Sequence, residues 1–241
     1  MSVFVAEELS EVLNTKVVIG RINMGLLNRI IIDDVLLDDQ SGQEMLKVTR
    51  LSAKFDIMPF FKGKISISSV QLFGFNINLR KETPDSPPNF KFVLDAFASK
   101  DTVKKENSLD LRINSILIRR GRMSYHVLSE EETPGKFNAK HIQLQNIIAN
   151  ISLKALSKDS LNLGIKRLSL DEKASGFSLK KMSLKLVANN KQTNIDNFTI
   201  ELPETSLKLD TIHLEYDSLK AFDRFTEPVS YTHLRAHETG A

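Results

Sequence analysis

Alternation of apolar and polar residues dominates the chain and predicts a mainly β protein. In Lys64–Leu79, Ile65 and Ile67 alternate with polar residues, which is the period-2 pattern of a half-buried strand. The alternation shifts to even positions at Val70 and returns to odd positions after Gly74. Because Gly74 is the only glycine of this stretch, we expect the sharpest bend or the closest backbone approach there.

The shift recurs along the chain as a repeated unit: an apolar residue, two mostly polar residues, an apolar residue, any residue, and a last apolar residue. In a regular strand, a gap of three places the flanking side chains on opposite faces. A two-residue hairpin turn would remove the conflict, but such turns favour Asn-Gly or Gly-x pairs, which these gaps lack. We therefore predict β-bulges, in which one extra residue restores the facing and bends a long strand.

The predicted fold is a strongly twisted, bulged antiparallel sheet with a few short helices, including an amphipathic helix over residues 3–13. Two short helices are too few to cover about nine strands of roughly 30 Å each. From the residues alone, a self-packed sandwich or barrel is the more ordinary interpretation. The alternative is an open groove whose aliphatic lining suits acyl chains. The predicted lining comprises Ile32, Val35, Leu37, Ile65, Ile67, Val70, Leu72, Ile113, Ile116, Ile118, Ile165, Leu168, Leu170, Leu179, Met182, Leu184, Ile195, Phe198, Ile200, Leu209, Ile212 and Leu214.

Composition and charge exclude several classes of function. The 241 residues are 41% hydrophobic and 26% charged, which is typical of a globular protein. A formal net charge of +3 is small for this length, and we predict no nucleic-acid partner. The absence of cysteine excludes disulfides, thiolate metal sites and a cysteine nucleophile. No run of residues approaches the ~18–20 apolar residues of a membrane-spanning helix.

No catalytic or cofactor-binding motif is visible, so we predict no enzyme activity, no cofactor and no metal site. The sequence contains no Gly-rich phosphate loop, no Gly-x-Ser-x-Gly elbow and no His-Glu-x-x-His motif. His126 and His141 stand singly in predicted strands and receive no role. The four aspartates between Asp33 and Asp39 lack the spacing of a calcium loop, and we interpret them as solvated residues of a strand edge.

Four segments are predicted along the chain: an N-terminal α+β segment over residues 1–98, a polar loop over 99–108, a β-groove segment over 109–227, and a non-native tail over 228–241. The tail contains PVSYTHLRAHET, which resembles a peptide found at the ends of unrelated translated metagenomic sequences, where adapter read-through is the usual cause. We therefore expect the native protein to be longer than this chain.

Three stretches carry a resemblance to a known family. Val17–Leu79, Pro84–Thr102 and Leu109–Tyr125 resemble, in sequence and in order, the N-terminal region of the TamB proteins of Bacteroidota. TamB is a translocation and assembly module of the AsmA-like group. The resemblance extends from residue 1 to about residue 227 and includes no catalytic signature.

The resemblance implies a non-enzymatic lipid-binding and transfer module of a periplasm-spanning protein that takes part in outer-membrane biogenesis. It implies phospholipid as the ligand, an Omp85-type outer-membrane barrel as a partner reached through parts missing here, and an inner-membrane anchor that is absent from this chain. It also makes the open groove the favoured interpretation. The alternative function is a structural scaffold that assists outer-membrane protein assembly or secretion through contacts at its sheet edge.

Overall fold

The computed structural model describes residues 2–26, 28–55, 65–98, 109–110, 114–156 and 160–216. Ile113, the predicted loop over 99–108 and the tail over 228–241 lie outside the described residues, as do the side chains of Ile65 and Ile67. The helices and strands are α1 (Ser2–Leu13), β1 (Val17–Gly25), β2 (Arg29–Asp38), β3 (Glu44–Phe55), β4 (Ile65–Lys81), α2 (Lys91–Ala98), β5 (Leu109–Asp110), β6 (Ser115–Val127), β7 (His141–Leu156), β8 (Ser160–Glu172), β9 (Ser178–Asn189), β10 (Gln192–Glu201) and β11 (Ser206–Glu215).

The predicted mainly β fold with an N-terminal helix is confirmed. The strands pair in the order β1-β2-β3-β4-β6-β7-β8-β9-β10-β11, and the short β5 pairs with β4. The sheet is mixed, and not wholly antiparallel as expected, because β4 and β6 run parallel from Ser69 opposite Ser115 to Lys81 opposite Val127. Parallel neighbours need a long crossover connection, and residues 82–114, which include α2, supply it. No helix among the described residues has the length and apolarity to span a membrane.

The chain divides into two compact units. Unit 1 contains Met1–Ile148 and Leu170–Phe177, and unit 2 contains Ala149–Ser169 and Ser178–Ala241. Strands β1 to β6 belong to unit 1, strands β9 to β11 belong to unit 2, and β7 and β8 contribute residues to both. The segment boundaries drawn from the sequence at residues 98 and 109 stay predictions.

The main core of unit 1 forms where α1 and α2 lie against one end of the sheet. Phe92 and Val93 of α2 pack against this core from one side. Helix α1 ends at Leu13 and is followed by Asn14, whose φ of 47° is a left-handed conformation that asparagine tolerates well after a helix. The hydroxyl of Ser10 then ties the helix to β1 by accepting a hydrogen bond from the Val17 N–H at 3.0 Å. The buried residues of the core are Ala6, Leu13, Val17, Ile19, Leu37 and Met45.

A buried carboxylate holds the turn between β2 and β3 at the same end. Asp39 is 2% exposed, and its Oδ2 lies 2.7 Å from Nη2 of Arg80 and 3.1 Å from Nδ2 of Asn89. Burial raises the pKa of Asp39, but hydrogen bonds from Ser41, Asn89 and Gln43 outweigh that effect and lower the pKa. The interpretation of this aspartate as a solvated strand-edge residue was therefore wrong, because donors from its own turn and from Arg80 and Asn89 enclose it.

In unit 1, the apolar side chains shift between odd and even positions, as predicted, but neither of two paired strands contains an extra residue where the shift occurs. Between Ile19 opposite Val35 and Arg21 opposite Asp33, the register of β1 and β2 does not change. The same constant register holds between β2 and β3, between β3 and β4, and between β4 and β6. One position on each of five strands therefore falls in a single row across the sheet. We call it the break row: Gly20, Asp34, Thr49, Gly74 and Arg120.

Three of the five members of the break row have a left-handed backbone. The φ angles are 58° at Asp34, 64° at Gly74 and 55° at Arg120. A Cβ atom on Gly74 would lie 2.7 Å from Oγ1 of Thr49, so the close approach expected at this glycine is confirmed. Because every strand changes facing in the same row, the β-bulges predicted for these strands are unnecessary here. Register does shift at other points: between Leu37 and Asp38 where β2 pairs with β3, between Lys54 and Phe55 where β3 pairs with β4, and between Asp196 and Thr199 where β10 pairs with β9.

Candidate functional site

The change of facing leaves one continuous apolar face on unit 1, arranged as four rows of paired side chains. Rows 1, 3 and 4 run across β1, β2, β3, β4 and β6, row 2 runs across the first four of these strands, and we call the whole set the apolar ladder. Row 1 contains Val17, Leu37, Leu46, Ile77 and Met123; row 2 contains Ile19, Val35, Val48 and Phe75; row 3 contains Ile22, Ile32, Leu51, Leu72 and Ile118; and row 4 contains Met24, Ile30, Ala53, Val70 and Ile116.

The buried side chains of the apolar ladder all lie in rows 1 and 2, where Leu46, Ile77, Met123 and Val35 are half-buried. Val17 and Leu37 of row 1 are buried against the helix-covered core, and Val48 and Phe75 of row 2 are 3% and 7% exposed. All five side chains of row 3 are half-buried. In row 4, four side chains are half-buried and Met24 is 76% exposed. Rows 3 and 4 therefore form an open apolar patch, which we call the open rows.

Phe75 marks the boundary between the buried rows and the open rows. Its ring packs in a cluster with Val48 and Ile147, and Gly121 of β6 provides the space beneath it. A Cβ atom on Gly121 would lie 2.4 Å from two carbon atoms of the Phe75 ring. Glycine at this position is thus required by the close approach of the ring, since φ of Gly121 is not positive.

The structure brings together most of the lining residues predicted in unit 1. Seven of them lie in the four rows of the apolar ladder, and Leu170 packs against the Val48–Phe75–Ile147 cluster. Leu37 is buried, and the other six are half-buried. The seven are Ile32, Val35, Leu37, Val70, Leu72, Ile116 and Ile118.

In unit 2, the predicted lining residues of β9, β10 and β11 also pair across the strands. Ile200 lies opposite Met182, Ile195 lies opposite Ile212, and Phe198 lies opposite Leu209. Among the predicted lining residues of unit 2, Leu179 is buried and the others are half-buried. The half-buried residues are Ile165, Leu168, Met182, Leu184, Ile195, Phe198, Ile200, Leu209, Ile212 and Leu214.

Sequence reasoning missed several members of the apolar face. In unit 1, Ile22 and Phe75 complete rows 3 and 2, and in unit 2 Leu186 lies opposite Ile195. Ile19-x-x-Ile22 and Leu72-x-x-Phe75-x-Ile77 both contain the gap of three, so that spacing is the signal that would have found them.

The opposite face of unit 1 carries charge beside the break row. Arg21, Asp33, Arg50, Phe73 and Arg119 lie opposite one another on successive strands. Nε of Arg50 donates to Oδ1 of Asp33 at 2.6 Å, and this hydrogen bond is the main cause of the lowered pKa of Asp33. Asp33 is only 5% exposed, so the solvated interpretation was wrong for this aspartate too.

A shallow cavity of about 440 Å³ opens on this charged face. Phe73 and Arg119 line it, and the guanidinium carbon of Arg120 lies 5.2 Å from the centre of the Phe73 ring. This distance is within the range of a cation–π contact, so the Phe73 ring partly compensates the positive charge of Arg120. Leu72 of row 3 also lines this cavity, so the cavity adjoins the open rows and differs from them by its arginine side chains.

The open rows offer apolar area to whatever contacts them. Every side chain in rows 3 and 4 is aliphatic or methionine. A scan against protein-family models and a search of curated proteins both find no match to the chain.

Proposed function

We propose that unit 1 is a non-enzymatic lipid-binding module, in which the open rows of the apolar ladder bind the acyl chains of phospholipid. The observation that carries the proposal is one continuous apolar face whose buried side chains all lie in rows 1 and 2, and whose rows 3 and 4 contain only half-buried side chains and the exposed Met24. Contiguous exposed apolar patches mark sites of interaction with an apolar partner.

The dimensions and chemistry of the open rows suit a hydrocarbon chain. Five strands spaced by about 4.8 Å give the patch a width of about 19 Å. Each methylene group moved from water onto the patch contributes about 0.8 kcal/mol, so ten methylenes contribute roughly 8 kcal/mol before the cost of ordering the chain. Because the rows hold no charged side chain, they recognise the chain by its apolar area and not by a polar group.

The wider role that we propose is transfer of phospholipid within a periplasm-spanning, inner-membrane-anchored protein of outer-membrane biogenesis, in cooperation with an Omp85-type barrel. Support for this role comes from the resemblance of Val17–Leu79 and the two later stretches to TamB proteins. The half-exposed aliphatic side chains of unit 2 are compatible with the same ligand.

A matched pair of substitutions in β6 tests the acyl-chain proposal. Ile116 belongs to row 4, and Leu117 is its neighbour on the opposite face; both are half-buried. Ile116→Asp places a carboxylate among the open rows, and we expect affinity for an NBD-labelled phospholipid to fall at least tenfold. Leu117→Asp makes the same chemical change on the other face, and we expect it to change affinity less than twofold.

Two measurements complete this test. Native mass spectrometry of the purified chain should show co-purifying phospholipid in the wild type and in Leu117→Asp, and less of it in Ile116→Asp. Circular dichroism should show that all three proteins are folded. A folded wild-type chain that carries no lipid and shows no saturable binding of the labelled phospholipid would refute the proposal, and so would equal losses in the two variants.

A second candidate function is a scaffold that binds another protein by strand addition. In the described part of the chain β11 pairs with β10 alone, so its other edge presents backbone donors and acceptors. Asp210 of β11 lies opposite Asn197 of β10 but does not form a ladder pair with it. Asp210→Pro therefore removes one backbone N–H donor from β11 without removing a pair to β10. A scaffold would lose partner capture in this variant and keep it in Ile116→Asp, whereas a lipid module would show the reverse for lipid binding.

A further inference from the structure

A cluster of three metal-ligand side chains lies where β6 passes into β7. His126 is near the end of β6, His141 begins β7, and Glu132 is in the loop between them. Nδ1 of His126 lies 3.0 Å from Nδ1 of His141, and Oε1 of Glu132 lies 3.8 Å and 4.0 Å from these two atoms. Among the described residues, this is the one group of three such side chains whose ligand atoms all lie within 4.8 Å.

The orientation of His141 is fixed by a backbone carbonyl. Its side chain is 8% exposed, and its Nε2 lies 2.9 Å from the carbonyl oxygen of Glu130. A carbonyl oxygen can only accept a hydrogen bond, so Nε2 carries the proton of the neutral ring and Nδ1 presents a lone pair toward His126. Histidines that bind metal ions are usually held in this way, by a carbonyl or carboxylate on the nitrogen opposite the ion.

The loop that carries Glu132 is held by three polar contacts. Nζ of Lys140 lies 2.6 Å from Oε2 of Glu130, and Nδ2 of Asn138 donates to the carbonyl oxygen of Glu131 at 3.1 Å. The Lys140 N–H in turn donates to Oδ1 of Asn138 at 3.0 Å. These contacts keep the Glu130 carbonyl against His141 and leave the Glu132 side chain at the solvent side of the pair.

We propose that His126, His141 and Glu132 form a binding site for a divalent transition-metal ion, with Zn²⁺ as the first choice. In a tetrahedral zinc site with metal–ligand bonds of about 2.0–2.2 Å, ligand atoms are about 3.3–3.5 Å apart. The nitrogen pair at 3.0 Å is slightly closer than this, and the Glu132 oxygen at 3.8 Å and 4.0 Å is slightly farther. Glu132 is 62% exposed and free to move the required half ångström.

Binding of the ion requires a change of tautomer at His126. Without metal, Nδ1 of His126 donates its proton to the lone pair on Nδ1 of His141. With metal, His126 carries its proton on Nε2, transferred through solvent, so both Nδ1 atoms bind the ion and no net proton is released. Water fills the fourth position on the exposed side. Two imidazoles favour a borderline ion such as Zn²⁺ over Ca²⁺ or Mg²⁺, which prefer oxygen ligands throughout.

The test is a Zn²⁺ titration of the untagged 241-residue chain after chelator treatment, in competition with a chromophoric zinc chelator. His233 and His237 in the tail are replaced by alanine in every protein, since two histidines four residues apart could bind zinc themselves. We expect one equivalent of Zn²⁺ to bind with a micromolar or lower Kd, and His126→Ala to weaken binding at least a hundredfold. Because His126 is more exposed than His141, this variant also avoids a failure to fold.

Two control variants keep the result specific. Glu132→Gln should weaken binding about tenfold, whereas Glu131→Gln changes the adjacent side chain of the same loop and should leave it unchanged. His213→Ala removes a histidine whose Nε2 lies 3.0 Å from Glu215, a pair with no second histidine, and should also leave binding unchanged. Absence of saturable Zn²⁺ binding, or equal binding in the wild type and His126→Ala, would overturn the proposal.

Discussion

The contact between Gly121 and the Phe75 ring allows a quantitative test of the boundary between the buried rows and the open rows. In Gly121→Ala, the new Cβ would lie 2.4 Å from Cε1 and Cζ of Phe75, whereas ordinary contact begins at 3.4 Å. The ring or the strand must therefore move by about 1 Å in a region where Phe75 is 7% exposed and Ile147 blocks the other side. Overpacking of this kind costs about 1–3 kcal/mol of unfolding free energy.

A second substitution separates this steric cause from a general intolerance of change. Phe75→Leu removes ring atoms that the new Cβ would meet, and by itself it should cost roughly 1–2 kcal/mol because part of the ring volume stays empty. In the double variant, the added methyl group enters that space. We expect the double variant to be more stable than the sum of the two single effects by about 1 kcal/mol or more.

Urea unfolding followed by circular dichroism measures these free energies, and Gly164→Ala is the control. Gly164 is also a strand glycine, but its nearest neighbour is the rotatable hydroxyl of Ser152 at 2.6 Å, so we expect a cost below about 0.5 kcal/mol. If Gly121→Ala is as stable as the wild type, or if its effect and that of Phe75→Leu simply add, the close approach of the ring to β6 does not constrain the fold.

Two further predictions concern a buried carboxylate and a left-handed residue. Burial raises the pKa of Glu172, but hydrogen bonds from Ser175 and from the backbone of Gln143 outweigh it and lower the pKa from 4.5 to about 2. The lowered pKa stabilises the folded state above pH 4.5, and this stabilisation is lost as the pH falls toward 2. In thermal melts, the melting temperature of the wild type should therefore fall more steeply with acid than that of Glu172→Gln. Parallel curves for the two proteins would contradict this. Asn197 is exposed and has a left-handed φ of 53°, which a β-branched residue adopts only with strain. Asn197→Val should therefore lower the free energy of urea unfolding by about 1–2 kcal/mol, whereas Thr199→Val in the same strand should be nearly neutral. Equal effects of the two substitutions would contradict this.

The strands and the apolar face were predictable because both depend on local alternation. Ile32, Val35 and Leu72 share a face in the structure as the gap of three required. The means of changing face was not predictable, because a β-bulge and an in-register break leave the same spacing within one strand. Only the alignment of Asp34 with Gly74 across β3 distinguishes them, and that alignment depends on the pairing of distant strands.

The histidine cluster was invisible in the sequence for a similar reason. His126 and His141 are fifteen positions apart, and no short ligand motif joins them. They meet because the loop between β6 and β7 closes on itself, which depends on contacts such as that between Lys140 and Glu130. The buried aspartates were misjudged because their partners, Arg50 and Arg80, come from other strands.

The parallel pairing of β4 and β6 decides at which end of unit 1 the turn after β6 lies. Because both strands run from row 4 toward row 1, the turn after β6 emerges beside the helices, where His126 lies opposite Arg80. An antiparallel β6 would have placed that turn at the row 4 end of the sheet. Ile116 and His126 are instead separated by ten residues of one strand, about 30 Å, so the two sites that we propose stand at opposite ends of β6 and are open to separate mutation.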